Sequence, residues 1–240
     1  WIELMYNQNE KDVLKYAEDI VKNGFPPGII IMIDDNWQHY YGNFEFKPDR
    51  FPNPKNMVKR LHDMGFKVML WISPFVTADS PEYRLLAEKG YLLKDTTHQP
   101  AIIKWWNGQS AVFDFTNPDA RSYFINELRN MQQSYGIDGF KFDGGDNQFY
   151  DRKDLVSYGN KHLNSVEHTR AWAEIGLHFP FNEYRAGWQM GGKELVQRLG
   201  DKDYSWQAVN LLAPDMIAAG LLGYAYSCPD MIGGGSFGTF

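Results

Sequence analysis

The stretch GIDGFKFDGGD, residues 136–146, sets Lys141 and Asp143 at alternate positions of an apolar-aromatic run. Alternate side chains of an extended strand share a face. An ammonium and a carboxylate therefore point the same way, and the cation favours the ionised, nucleophilic form of the acid. Gly144 and Gly145 then allow a sharp turn and a close approach of a ligand to the backbone, with a plain turn as the alternative. Asp146, beyond the glycines, is a second candidate acid. Similar residues end other apolar runs: Asp34 in GIIIMID, Trp71-Ile72-Ser73 in KVMLWISP, Asp114 in AVFDF, Glu183 and Arg185 in FPFNEYRAG, Asp201 in QRLGD and Asp230 in LGYAYSCPD. Charges at the ends of buried runs are costly unless they are paired or used.

The inventory narrows the chemistry. The histidines are His39, His62, His98, His162, His168 and His178. None ends an expected strand and no His-x-His occurs, so the pattern of a divalent-metal barrel is missing. Lys141 is the sole strand-end lysine for a Schiff base, and Asp143 beside it keeps it charged. The glycine-rich MIGGGSFG (231–238) is a candidate phosphate loop. Carboxylates, an arginine and aromatics remain, which is the equipment of glycoside cleavage between two carboxyl groups. No metal or cofactor is expected.

The elements that must position these residues alternate between short apolar runs and amphipathic segments. Strands are expected at 1–7, 28–34, 67–74, 111–115, 136–143, 179–187, 197–201 and 222–230. Helices are expected at 9–23, with Val13, Leu14, Ala17, Ile20 and Val21 on one face, and at 54–64, 81–89, 117–135 and 163–177. A last helix, 205–220, is interrupted at Pro214. Strands apolar on both faces and joined by helices are parallel, and eight of them define an α/β fold, a (β/α)8 TIM barrel with its last outer helix missing from this chain. An open doubly wound sheet is the alternative, although no glycine-rich dinucleotide fingerprint follows an early strand. In the barrel, the polar residues gather on one rim, at the strand C-termini.

Composition sets the outer bounds. The chain has 240 residues, 43% hydrophobic and 22% charged, with a formal net charge of -6. No basic block suggests a nucleic-acid partner, and no apolar run reaches the ~18 residues of a membrane span. Cys228 is the single cysteine, so no internal disulfide can form. No composition break divides residues 1–240, which read as one domain of a longer chain beginning here at Trp1. Compartment is not encoded.

At these residues the sequence resembles the catalytic barrel of glycoside hydrolase family 31. The matching stretches are MIDDNW (32–37), FPNPKNMVKRLHDMGFKVMLWISP (51–74), FDFTNPDAR (113–121), GIDGFKFDGGD (136–146), RAGWQ (185–189), LGD (199–201) and PDMIGG (229–234), in family order along nearly the whole chain. The resemblance implies a retaining α-glycosidase with a carbohydrate substrate, in a longer chain that also carries β-sandwich domains. It implies Asp143 as nucleophile and Asp201 as acid/base, one with a low and one with a raised pKa. Asp203 is the alternative acid. Asp34, Lys141 and Arg185 fall at sugar-contacting positions, Trp71 and Trp106 at the pocket walls, and Asp230 in the closing motif. Two departures bear on specificity. Lys-Phe-Asp-Gly-Gly-Asp stands where many members have Trp-Ile-Asp-Met-Asn-Glu, and Cys228-Pro229-Asp230 stands where many have a histidine before the last acid. α-Galactosides and α-glucosides both fit. A sugar-binding barrel without catalysis and a transglycosylase are the alternatives.

Overall fold

The structure is a computed structural model that describes residues 2–4, 7–26, 28, 30–203 and 205–230. Its frame is a parallel sheet of seven strands: β1 (Ile2–Leu4), β2 (Ile30–Ile33), β3 (Lys67–Ile72), β4 (Gly139–Phe142), β5 (Phe181–Tyr184), β6 (Val196–Arg198) and β7 (Tyr226–Cys228). Spatial order follows chain order throughout. A doubly wound sheet reverses its order at a switch point; this sheet never does. Its winding is that of the (β/α)8 barrel.

Helices cross between the strands. They are α1 (Glu10–Lys22), α2 (Pro54–Asp63), α3 (Pro81–Glu88), α4 (Pro118–Tyr135), α5 (Ser165–Ile175) and α6 (Trp206–Leu221). Their starts are written locally. Asn9, Asn53, Ser80, Asn117, Asn164 and Ser205 each accept a hydrogen bond from a first-turn backbone N–H, and proline occupies the first turn of α2, α3 and α4. Val13, Leu14, Ala17 and Ile20 of α1 are buried as expected, whereas Val21 is half exposed. Helix α6 runs through Pro214 without interruption. The proline ring sets a φ compatible with a helix, and the local loss is one backbone hydrogen bond.

The run AVFDF is the main departure from expectation. Residues 108–112 form an antiparallel hairpin with 103–105 and also pair with 75–77, apart from the parallel sheet. Phe113 and Phe115 then pack against Phe124 of α4, and Phe115 stacks on Trp172 of α5. The run is apolar because helices bury it, and short apolar runs do not reveal which element covers them. Asp114 consequently lies off the rim. It is buried, and its carboxylate accepts from the Thr116 hydroxyl and backbone N–H. The candidate phosphate loop at 231–238 falls outside the described residues.

Alternation along the strands separates two layers. Phe140 and Phe142 of β4 point outward against Phe179, Trp172 and Tyr184. Inside, Met32, Met69 and Phe181 form a small apolar plug. Two residues further along β3 and β5 than that plug, Trp71 and Glu183 stand side by side in register with Lys141.

Candidate active site

Asp143 follows the last residue of β4, and its backbone N–H bonds the Ile72 carbonyl of β3, so its position is fixed by the sheet. Its side chain is only 10% exposed. Oδ2 accepts from the Trp71 indole N–H at 2.8 Å, and Oδ1 accepts from the Arg198 guanidinium at 2.9 Å, with Arg185 at 3.7 Å. Trp71 is itself held from behind, since its carbonyl accepts from the Trp37 indole at 2.8 Å. Lys141 lies 3.1 Å from Asp34 Oδ2 at the end of β2. Guanidinium groups from β6 and from the end of β5 supply the positive charge next to Asp143.

Asp201 follows β6 and is 53% exposed. Arg198 NH1 reaches its Oδ1 at 3.0 Å, and the same nitrogen lies 3.4 Å from Asp230 Oδ2. Burial pushes the Asp201 carboxyl up, but the charge and hydrogen bond of Arg198 and the charge of Arg185 outweigh burial and hold it below its ordinary value. The expected raised acid is therefore not Asp201. Beside Arg198, the Glu183 carboxyl is raised, pushed up by burial against the opposing pull of Lys141 and Arg198. Asp203 is exposed and its carboxylate accepts from the Ser205 hydroxyl.

Arg185 faces the site, and its charge acts on Asp201. Its Nε lies 3.2 Å from Asp146 Oδ1, and its guanidinium carbon lies 4.9 Å from the centre of the Trp106 ring. Asp146 thus anchors an arginine. Trp106 sits at the tip of the side hairpin, about half exposed, edge-on to Trp105. Trp105 stacks with Trp71, and Tyr41 packs on both. An aromatic wall thereby runs from the solvent mouth to the Asp143 carboxylate. Asp230 lies at 3.4 Å from Arg198 NH1.

The residue that sequence reading missed is Arg198. Its side chain is 6% exposed, and its three nitrogens meet Asp143, Asp201, Asp230 and Glu183, the last at 3.0 Å from Nε without hydrogen-bond alignment. The signal was slight, an arginine three positions before Asp201 in a strand of three residues, too short to show which face it uses. Asp35 was missed as well. It binds Asn107 and Tyr41 at 2.7 and 3.3 Å, and burial together with the charge of Asp34 pushes its carboxyl up.

The fold defines a TIM-barrel protein with a charged rim of carboxylates and guanidinium groups. Residues 1–237 match the family model described as the glycosyl hydrolases family 31 TIM-barrel domain, and the chain belongs to that family. It is 35% identical over 230 residues to the mouse myogenesis-regulating glycosidase, covering 94% of this chain and 32% of that protein. It is 27% identical over 246 residues to an α-xylosidase of Emericella nidulans, covering 97% and 31%. The chain thus spans about a third of the length of these curated relatives. In fold it resembles a family 31 dextranase of Flavobacterium johnsoniae complexed with glucose, with a TM-score of 0.79, 23% identity and coverage of 92% of this chain and 30% of that one.

Proposed function

We propose that this chain is the catalytic barrel of a retaining α-glycosidase acting on α-linked hexosides, either α-galactosides or α-glucosides. The observation that carries this reading is a pair of unequally exposed carboxylates on one guanidinium. Asp143 is buried and fixed by Trp71 and Arg198, while Asp201 is half exposed. Both carboxylates bond the same guanidinium, which holds them close enough to act on one glycosidic bond.

The reaction runs in two balanced steps. The Asp143 carboxylate attacks the anomeric carbon and forms the C–O bond of a glycosyl ester. The glycosidic C–O bond breaks with its electron pair on oxygen, and that oxygen takes the proton of Asp201. Water then enters from the face left by the alcohol. Asp201 takes a water proton, the water oxygen bonds the anomeric carbon, and the ester bond returns its electrons to Asp143. Entry of the sugar covers Asp201 and removes water, which favours its protonated form at the moment it is needed. Asp230, which shares Arg198 NH1 with Asp201, is a neighbouring site for that proton. Asp34, Lys141, Arg185, Trp71 and Trp106 hold the sugar in this scheme. The reading includes β-sandwich domains elsewhere in the whole protein.

Nitrophenyl α-galactoside and α-glucoside, assayed with the whole protein, test it. Asp143→Ala should lose more than about 10³-fold in turnover. Asp201→Ala should form the glycosyl-enzyme from these good leaving groups and then stall for want of a base. Added azide needs no base and should release an α-glycosyl azide from that variant, whereas azide filling the vacated side of Asp143→Ala gives the β-azide. Parental activity in both variants would overturn the roles given to Asp143 and Asp201, and a parent inactive on every α-glycoside would leave a sugar-binding barrel.

A further inference from the structure

Every strand end on this side of the barrel sends charge towards Arg198. β4 contributes Asp143, β5 contributes Glu183, and the segments after β6 and β7 contribute Asp201 and Asp230. Beyond these contacts stand Arg185, 3.7 Å from the same oxygen of Asp143, and Lys141, which acts on Glu183. Cys228 of β7 lies within the field of Arg198, and burial pushes its thiol up, towards the neutral form. NH2 binds the candidate nucleophile, NH1 meets both the candidate acid/base and Asp230, and Nε faces Glu183.

We propose that Arg198 is a positioning residue, one buried guanidinium that keeps a hydrogen bond on Asp143 and another on Asp201 so that the negative charge of the pair passes from one to the other without leaving its cation. The inference rests on the roles given above to Asp143 and Asp201. Before glycosylation Asp143 is the anion and Asp201 holds the proton. Afterwards Asp143 is a neutral ester and Asp201 is the anion. The second step reverses both. The pair carries a single charge throughout, and only its address changes. A rigid planar fork can serve both addresses with no movement of its own, and a preorganised donor needs no reorganisation during the reaction. An ammonium is a point charge and cannot keep both bonds in the same geometry.

The pH dependence of kcat/KM separates this role from packing. The acid limb reports ionisation of the nucleophile, and the alkaline limb reports loss of the acid's proton. A cation between the two favours both ionised forms and sets both limbs low. Removing it moves both limbs upward together. In the whole protein, Arg198→Gln should shift the bell bodily to higher pH by about 1–2 units and lower its maximum by about 10²–10³-fold. Arg198→Lys should retain more of the maximum yet raise at least one limb. Far-UV circular dichroism checks that each variant folds. If the glutamine variant does not fold, the lysine variant decides, and parental limbs in it overturn the proposal. Lower activity with both limbs unmoved also overturns it, leaving Arg198 a structural ion-pair partner. A parent enzyme inactive on every α-glycoside removes the functional reading and this inference with it, whereas an active parent with unmoved limbs removes the inference alone.

Discussion

At the scale of single residues, the site is a problem of buried charge. Asp34 and Lys141 pair at 3.1 Å with side chains 11% and 7% exposed, and Glu183 lies deeper still. Burying an ion costs several kcal/mol unless partners and hydrogen bonds compensate. Glu183 is where compensation falls short, since its carboxyl is pushed above its ordinary value by burial. Its folded form therefore binds a proton more readily than the unfolded chain does. Stability from this group is present in full below its unfolded value near 4.5 and is lost as pH rises through the higher folded value. Glu183→Gln should flatten that loss, worth at most about 1.4 kcal/mol per pH unit for one proton. Urea unfolding of parent and variant between about pH 4 and pH 7 would measure the two slopes. An unchanged slope would place the pH-sensitive group elsewhere.

At the scale of elements, the turn after β4 decides where Asp143 can stand. Gly144 and Gly145 have φ of 70° and 77°, in the left-handed region. A Cβ on Gly145 would stand 2.3 Å from Cδ1 of Trp172, and one on Gly144 would stand 2.9 Å from the Phe75 ring. The glycines are required by the turn and by the aromatic side chains pressed against it, so the expected role of making room for a sugar is not the one their surroundings express. Gly145→Ala should destabilise by about 2–4 kcal/mol, because strain adds to a clash with a core indole. Gly159→Ala is the matched control, with the same φ of 77° and nothing within 4 Å of the added Cβ. It should cost about 1–2 kcal/mol. Unfolding followed by tryptophan fluorescence would compare them, and equal losses would mean that Trp172 yields freely.

At the scale of the whole molecule, the chain carries a net charge of -6, and the rim adds to it locally. Asp34, Asp35, Asp143, Asp146, Glu183, Asp201 and Asp230 outnumber Lys141, Arg185 and Arg198, and each of these cations is already engaged by a carboxylate. Such a rim repels an anionic sugar and accepts a neutral one. An α-linked uronide should be cleaved at least about 10²-fold less efficiently than the neutral hexoside of the same configuration, with the gap narrowing as salt screens the field. Steady-state assays at two ionic strengths would show it. Equal rates at low salt would count against the charge balance as a selector.

The sequence alone determined the alternation of apolar runs with capped helices, and hence the barrel class. It also determined which strand ends carry acids, because a charge at the end of a buried run is conspicuous in one dimension. Asp34, Trp71, Lys141, Asp143, Arg185, Asp201 and Asp230 could all be named from it. Tertiary structure decided the pairings. Lys141 serves Asp34, and Arg198 joins Asp143 to Asp201, 55 residues from the one and 3 from the other. It also decided that AVFDF packs beneath helices, outside the parallel sheet. Charge compensation acts over a few ångströms whatever the separation along the chain, and in a three-residue strand such as β6 no local pattern shows which side chain turns inward.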